Sequence, residues 1–157
     1  MLNEDYRDIL QSLADEQVKC LLVGAYALAA HGYPRATMDI DIWIRPSADN
    51  AEAVLRALRR FGAPTSELTV TDLQRGDTIF QIGVAPRRID ILTGVSGLCF
   101  DEAFANSVMI DIEGLRIRIP SVADLICNKR ASGRTKDLAD AEALESLKIS
   151  TSDDLRS

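Results

Sequence analysis

With 157 residues, 46% of them hydrophobic and 27% charged, the chain has the length of one domain and an ordinary globular composition, which excludes a disordered segment or a repeat array. A formal charge of −6 and a pI near 4.8 exclude a protein that coats DNA or other nucleic acid by bulk electrostatics. The start MLNEDYRDIL is acidic where a signal peptide is basic, and the longest apolar run, CLLVGAYALAA, is too short to span a bilayer, so no membrane contact and a cytoplasmic location are expected.

Tyr6, Ile9, Leu10 and Leu13 fall at helical spacing and predict an amphipathic helix over about residues 3–16. KCLLVG reads as a buried strand ending at Gly24, and AYALAAHG as a short helix that starts at once and stops at Gly32 and Pro34. DIDIWI is the next strand, closed by Pro46. Ser47 then caps a helix whose apolar face is Val54, Leu55, Leu58 and Phe61, ended by Gly62 and Pro64. Residues 65–76 carry no decisive pattern. TIFQIG and RRIDILT predict two strands joined around Pro86, in the same sheet as the first pair.

SVMIDI and LRIRIP flank the dipeptide EG and predict a hairpin. Ser121 and Asp124 form a capping-box-like start to a helix through about Ala131, and after SGR a last helix presents Leu138, Ala141, Leu144 and Leu147. No linker divides the chain, so a single domain over 1–149 and a frayed polar tail over 150–157 are expected.

The charge is unevenly placed. Residues 1–17 hold Glu4, Asp5, Asp8, Asp15 and Glu16 against Arg7, whereas residues 115–137 hold Arg116, Arg118, Lys129, Arg130, Arg134 and Lys136 against Asp124 and Asp137. An anionic ligand belongs near the second stretch if this is a site, although such a run also suits a solvated face. Cys20, Cys99 and Cys127 have no zinc spacing and read as reduced thiols, two of them among apolar neighbours and so expected to be buried. His31 is the sole histidine, so a Ser-His-Asp triad or a His-rich metal site cannot be built, and it is expected to cap or pack the short helix. Trp43 falls on the aspartate face of its strand and is expected to be partly buried rather than a base-stacking platform.

The chemistry lies between residues 23 and 91. A glycine at a strand end followed by a helix is either a tight turn or a phosphate site with free backbone N–H groups, and Gly24 and Ala25 occupy that place. In MDIDI, Asp39 and Asp41 share one face of a strand. Asp90 is centred in RIDIL, a later strand with the same apolar flanks. Three such carboxylates repel one another at neutral pH, and divalent cations remove the conflict. The alternative for the D-x-D strand is a polar outer face.

The ordered set VGA, twelve intervening residues, MDIDI, then IDI resembles the nucleotidyltransferase superfamily with the DNA polymerase β-like fold, over about residues 18–92. VGAYALAAHGYPRATMDIDIWI is similar to the small stand-alone bacterial and archaeal members, some of them from toxin–antitoxin or abortive-infection systems. The resemblance implies an α+β nucleotidyltransferase fold, a mixed β-sheet with flanking helices. It also implies transfer of a nucleoside monophosphate from an NTP to an acceptor hydroxyl of tRNA, protein or a small molecule, with pyrophosphate released. Asp39, Asp41 and Asp90 would be the catalytic acids and hold two Mg²⁺ ions, or Mn²⁺ in their place. Gly24 and Ala25 would hold phosphates; the second position is often Ser or Gly in that family, so with Ala25 a hydroxyl contact is missing while the backbone contact stays.

CNKRASGRTKDLADAEAL resembles the K-x-x-x-x-R-x-K-D-x-x-D segment of abortive-infection relatives. There Lys129 would contact phosphate, and Arg134 and Lys136, with Asp137 and Asp140, would line the edge of the site. The alternative is a solvated helix pair. Arg35 is either a further phosphate contact or a loop charge. Two rival functions remain at this stage: a nucleotide-binding pseudoenzyme, and an antitoxin-type interaction protein acting through a partner protein.

Overall fold

The computed structural model describes residues 2–33, 39–83 and 88–154, with side chains through residue 147; Pro34, Arg35 and the turn expected at Pro86 lie outside these. Helix α1 (Glu4–Asp15) starts where the Asn3 side chain accepts from the Asp5 amide, and it buries Tyr6, Ile9, Leu10 and Leu13, the apolar stripe that the sequence spacing predicts. Strand β1 (Cys20–Val23) runs without a loop into helix α2 (Gly24–Ala30). His31 closes α2, and its Nε2 stands 2.8 Å from the Pro120 carbonyl, to which it donates.

Strand β2 (Ile40–Ile44) leads to helix α3 (Ala48–Phe61), which ends on Gly62 in the left-handed region at φ 94°, where glycine carries no steric penalty. Ser47 was expected to cap α3 but makes no side-chain bond to it. Buried Asn50 instead fixes this corner: it accepts from the Lys19 amide and donates to the carbonyls of Lys19 and Arg45, tying the helix to the ends of β1 and β2.

Residues 65–76 contain a 3₁₀ turn at Asp72–Gln74, held by reciprocal bonds between Thr69 and Asp72 and anchored by buried Leu73. Strands β3 (Ile79–Ile82) and β4 (Ile89–Leu92) follow. The sequence pattern did not reveal the short helix α4 (Phe100–Ala105). Strands β5 (Val108–Ile112) and β6 (Leu115–Ile119) form the expected hairpin, with both turn residues, Glu113 and Gly114, at positive φ, as two-residue hairpin turns require. Helix α5 (Val122–Ser132) is capped by Ser121, whose hydroxyl accepts from the Asp124 amide at 3.1 Å. Gly133 then turns the chain into helix α6 (Thr135–Asp154).

The main sheet has the order β1-β2-β4-β3, antiparallel at both outer pairs and parallel between β2 and β4. This is the mixed sheet with flanking helices of an α+β fold. One face presents Leu22, Ile40, Ile42, Ile44, Ile89 and Ile91, all buried in the principal core with α1 and α3; each such side chain contributes about 1.5 to 3 kcal/mol by leaving water. The opposite face is divided. At one end Leu21, Val23 and Trp43 pack with Phe100 and Ala103 of α4, and at the other stand the aspartates.

Four expectations need correction. Trp43 does lie on the aspartate face, but it is fully buried, with its ring edge-on to Phe100 at 5.1 Å, because α4 covers it. Leu138 does not face the core: it is exposed, and Asp137 and Asp140 are buried beside Ala141 and Leu144, so α6 is rotated about one residue to bring its acids to Lys129. Cys99 and Cys127 are exposed, while Cys20 is partly buried: Cys99 stands at the N-cap of α4, and Cys127 lies on the solvent side of α5, opposite buried Leu125 and Ile126. The helix continues past Ser150 to Asp154, where a frayed tail was expected.

Candidate active site

Strand register assembles the acids. Asp41 on β2 pairs directly with Asp90 on β4, Val23 lies on the other side of Asp41, and Gln81 lies on the other side of Asp90. Partners in register share a face and stand about 4.8 Å apart, so Asp41 and Asp90 are neighbours on one surface. Asp39 and Arg88 come one residue before the paired Ile40 and Ile89 and fall on that same surface by alternation.

Gly24 shapes the space around Asp41. It has φ 68°, and a Cβ on it would fall 2.3 Å from Asp41 Oδ2, closer than atoms can approach. The glycine is therefore required both by its left-handed backbone and by the carboxylate lying against it. Asp90 is buried, and its Oδ1 has no hydrogen-bond partner. Burial pushes the Asp41 carboxyl up to about 6, helped by the charge and hydrogen bond of Asp90 and the charge of Asp39, and opposed by Lys129.

A cavity of about 250 Å³ opens over this surface. Gly24, Ala25, Asp39 and Asp41 line one side, and Lys129, Arg134, Lys136, Asp137 and Asp140 line the other. The second group comes from α5, α6 and the turn between them, so the K-x-x-x-x-R-x-K-D-x-x-D segment faces the D-x-D strand across the cavity. Its volume lies just below the range of about 300 to 1,000 Å³ usual for small-molecule sites, and it suits a polyphosphate end better than a whole nucleotide. A larger cleft of about 480 Å³ at the β3 edge is lined by residues such as Pro64, Leu68, Ile79 and Phe80; it holds none of the three aspartates.

Two of these cations, Lys129 and Arg134, are already engaged. Lys129 Nζ stands 3.4 Å from both Asp137 and Asp140, which are buried. Asp137 also accepts from Arg134 Nε at 2.7 Å and from the Ser132 hydroxyl. Burial pushes the Asp137 carboxyl up, but the bonds from Ser132, Arg134 and Lys129 outweigh it and hold it at about 2.

Sequence reasoning missed Arg88. Its Nη2 donates to Asp39 Oδ2 at 3.2 Å, and Asp39, then Asp90 and Asp41, raise its pKa. The signal was present in RID, an arginine two residues before an acid on a strand, but without register it reads as a solvated charge.

Hard oxygen donors suit Mg²⁺ or Mn²⁺. The unpartnered Asp90 oxygen, the adjacent Asp41 and the side-chain-free space at Gly24 fit such an ion. Among the described residues, however, no group of three or more His, Cys, Asp or Glu side chains is gathered to hold a metal. Asp39 accepts from Arg88 while lining the same cavity as Asp41.

No protein-family model matches the sequence, and no curated protein matches it. Solved structures do. The chain is similar to TM1012 of Thermotoga maritima, assigned as a nucleotidyltransferase, at 16% identity and a TM-score of 0.59, over 98% of this chain and 96% of that one. It is also similar to the antibiotic-resistance factor ANT(2″)-Ia. The solution structure of that protein gives 15% identity and a TM-score of 0.55, over 97% and 91% of the two chains. Its crystal structure with adenylyl-2″-tobramycin gives 14% and 0.52, over 92% of each. Among the described residues no helix is long and apolar enough to cross a membrane. Likeness at this level of identity is likeness of architecture, and it extends over nearly the whole of each chain: the protein has the fold of the nucleotidyltransferase superfamily.

Proposed function

We propose that the chain is a metal-dependent nucleotidyltransferase that moves a nucleoside monophosphate from an NTP to an acceptor hydroxyl. The observation that carries this reading is the pairing of Asp41 with Asp90, in register beside Gly24, across a cavity from Lys129. In the reaction the acceptor oxygen bonds to the α-phosphorus, the bond from that phosphorus to the bridging oxygen breaks, pyrophosphate leaves and the acceptor proton passes to solvent or base.

Asp41 and Asp90 would hold the cation, with Asp39 once it is free of Arg88. Bound Mg²⁺ supplies Lewis-acid charge that offsets the triphosphate and favours ionisation of the acceptor hydroxyl. The protein's own groups orient the substrate: the Gly24 and Ala25 backbone on one wall, and Lys129, Arg134 and Lys136 on the other. Asp137 and Asp140 pair with the Lys129 ammonium and hold it at the cavity wall. The adenylyl-tobramycin bound by ANT(2″)-Ia favours ATP as donor and a small-molecule hydroxyl as acceptor.

The test is calorimetric titration of each of the four NTPs with Mg²⁺ into wild type and the Asp39→Asn, Asp41→Asn double variant. Metal-dependent binding by wild type that disappears in the variant supports the reading and names the base. Absence of binding by every NTP overturns it and leaves a role through a partner protein.

A further inference from the structure

On the acid surface of the sheet, Asp39 and Asp41 of one strand stand beside Arg88 and Asp90 of the next, two by two. Three corners are carboxylates and the fourth is a guanidinium. Its main chain is fixed, since the Arg88 carbonyl accepts from the Ile40 amide at 3.0 Å and from the Tyr6 hydroxyl at 3.2 Å. Its side chain is only half engaged: Nη2 donates to Asp39 at 3.2 Å, while the buried Nε–H has no partner.

We propose that Arg88 competes with the divalent cation for Asp39, and that the nucleotide polyphosphate, by taking over the guanidinium, opens Asp39 to the cation. Arg88 is then a positioning residue that makes metal binding and nucleotide binding depend on one another. The proposal rests on the reading of this site as a metal and NTP site.

The charge on Arg88 is permanent. An arginine does not lose its proton in any ordinary pH range, so it cannot yield to a metal by neutralising. A cation reaching Asp39 with the guanidinium in place meets a like charge and a carboxylate already shared. The guanidinium can leave at little cost only toward another anion, and its planar fork, with Nε–H unused, matches a phosphate. Because such coupling is reciprocal, polyphosphate must tighten the metal as much as the metal tightens polyphosphate.

The test uses the full chain and calorimetric titration with Mn²⁺, first alone and then in the presence of inorganic tripolyphosphate, after correction for Mn²⁺ chelation by the polyphosphate. Wild type is compared with Arg88→Ala and Arg88→Gln, each checked for native circular dichroism; the glutamine variant serves if the alanine variant does not fold. Both variants should bind Mn²⁺ alone about fivefold more tightly, the scale of releasing a half-exposed ion pair. That gain should vanish in an Asp39→Asn background, and the tightening of Mn²⁺ by tripolyphosphate should shrink in the Arg88 variants. Equal Mn²⁺ affinity in wild type and the Arg88 variants overturns the proposal. So does a gain that persists without the Asp39 carboxylate, which marks a general field effect. Absence of Mn²⁺ binding in every protein, wild type included, overturns the metal site itself and is distinguished by that.

Discussion

Asp41 is held against its own charge. Its ordinary value of 3.8 is raised to about 6, so between about pH 4 and pH 6 the folded metal-free protein binds more protons at this group than the unfolded chain. Stability therefore falls as pH rises through that window, and the penalty is complete above about 6. Asp41→Asn removes it. At pH 7.5 without metal, the variant should unfold at a higher temperature than wild type, by roughly 1 to 3 kcal/mol of stability, and the difference should close at pH 4; thermal unfolding at the two pH values checks both. Gly24→Ala should act in the opposite direction. It imposes φ 68° on a residue with a Cβ and drives that Cβ into Asp41 Oδ2 at 2.3 Å, so a loss of roughly 2 kcal/mol or more is expected in denaturant unfolding, together with weakened metal-dependent nucleotide binding. The period of two in D-I-D and the apolar flanks of Asp90 made these acids legible from sequence. Arg88 was not legible, because its meaning depends on the parallel register that sets it beside Asp39.

Among the elements, α5 and α6 carry the most concentrated polar burial. Buried Asp137 and Asp140 are both paired with the largely covered Lys129, and removing that partner strands their charge, at a cost of about 3 to 5 kcal/mol. Lys129→Met should lower stability by that amount in urea unfolding at pH 7, and Asp137→Asn in the same chain should recover part of it. The Asp137 carboxyl, lowered from 3.8 to about 2, contributes stability that is present above about pH 4 and lost as pH falls through 2. Here the pattern misled: Leu138 fits an apolar stripe with Ala141 and Leu144, but the acids at 137 and 140 won the inward positions because Lys129 and Ser132 satisfy them. The helix α4 escaped notice because six residues are too few to establish a period, and Ser47 shows that a residue of the right type at a helix start need not supply the cap.

At the scale of the molecule, the sheet separates support from chemistry. One face is continuous aliphatic core, while the other is shared between an apolar cluster under α4 and a charged surface under α5 and α6. Strand identities could be read from alternation, and the hairpin from its two-residue turn. The order β1-β2-β4-β3 could not, since nothing local records which strand becomes the neighbour of which. The divided face has an optical consequence. The single tryptophan of the chain, Trp43, lies two residues along the strand from Asp41, on the same side and about 7 Å away by Cα spacing, with 1% of its surface exposed. Its emission should be blue, should change in intensity when the charge on Asp41 is neutralised by metal or proton, and should move to the red only on unfolding. A Mn²⁺ or pH titration followed at fixed excitation would separate the two, and an intensity that stays constant while calorimetry records metal binding would count against that assignment. The protein thus carries its own unlabelled indicator, shielded from solvent yet within reach of the electric field of its acids.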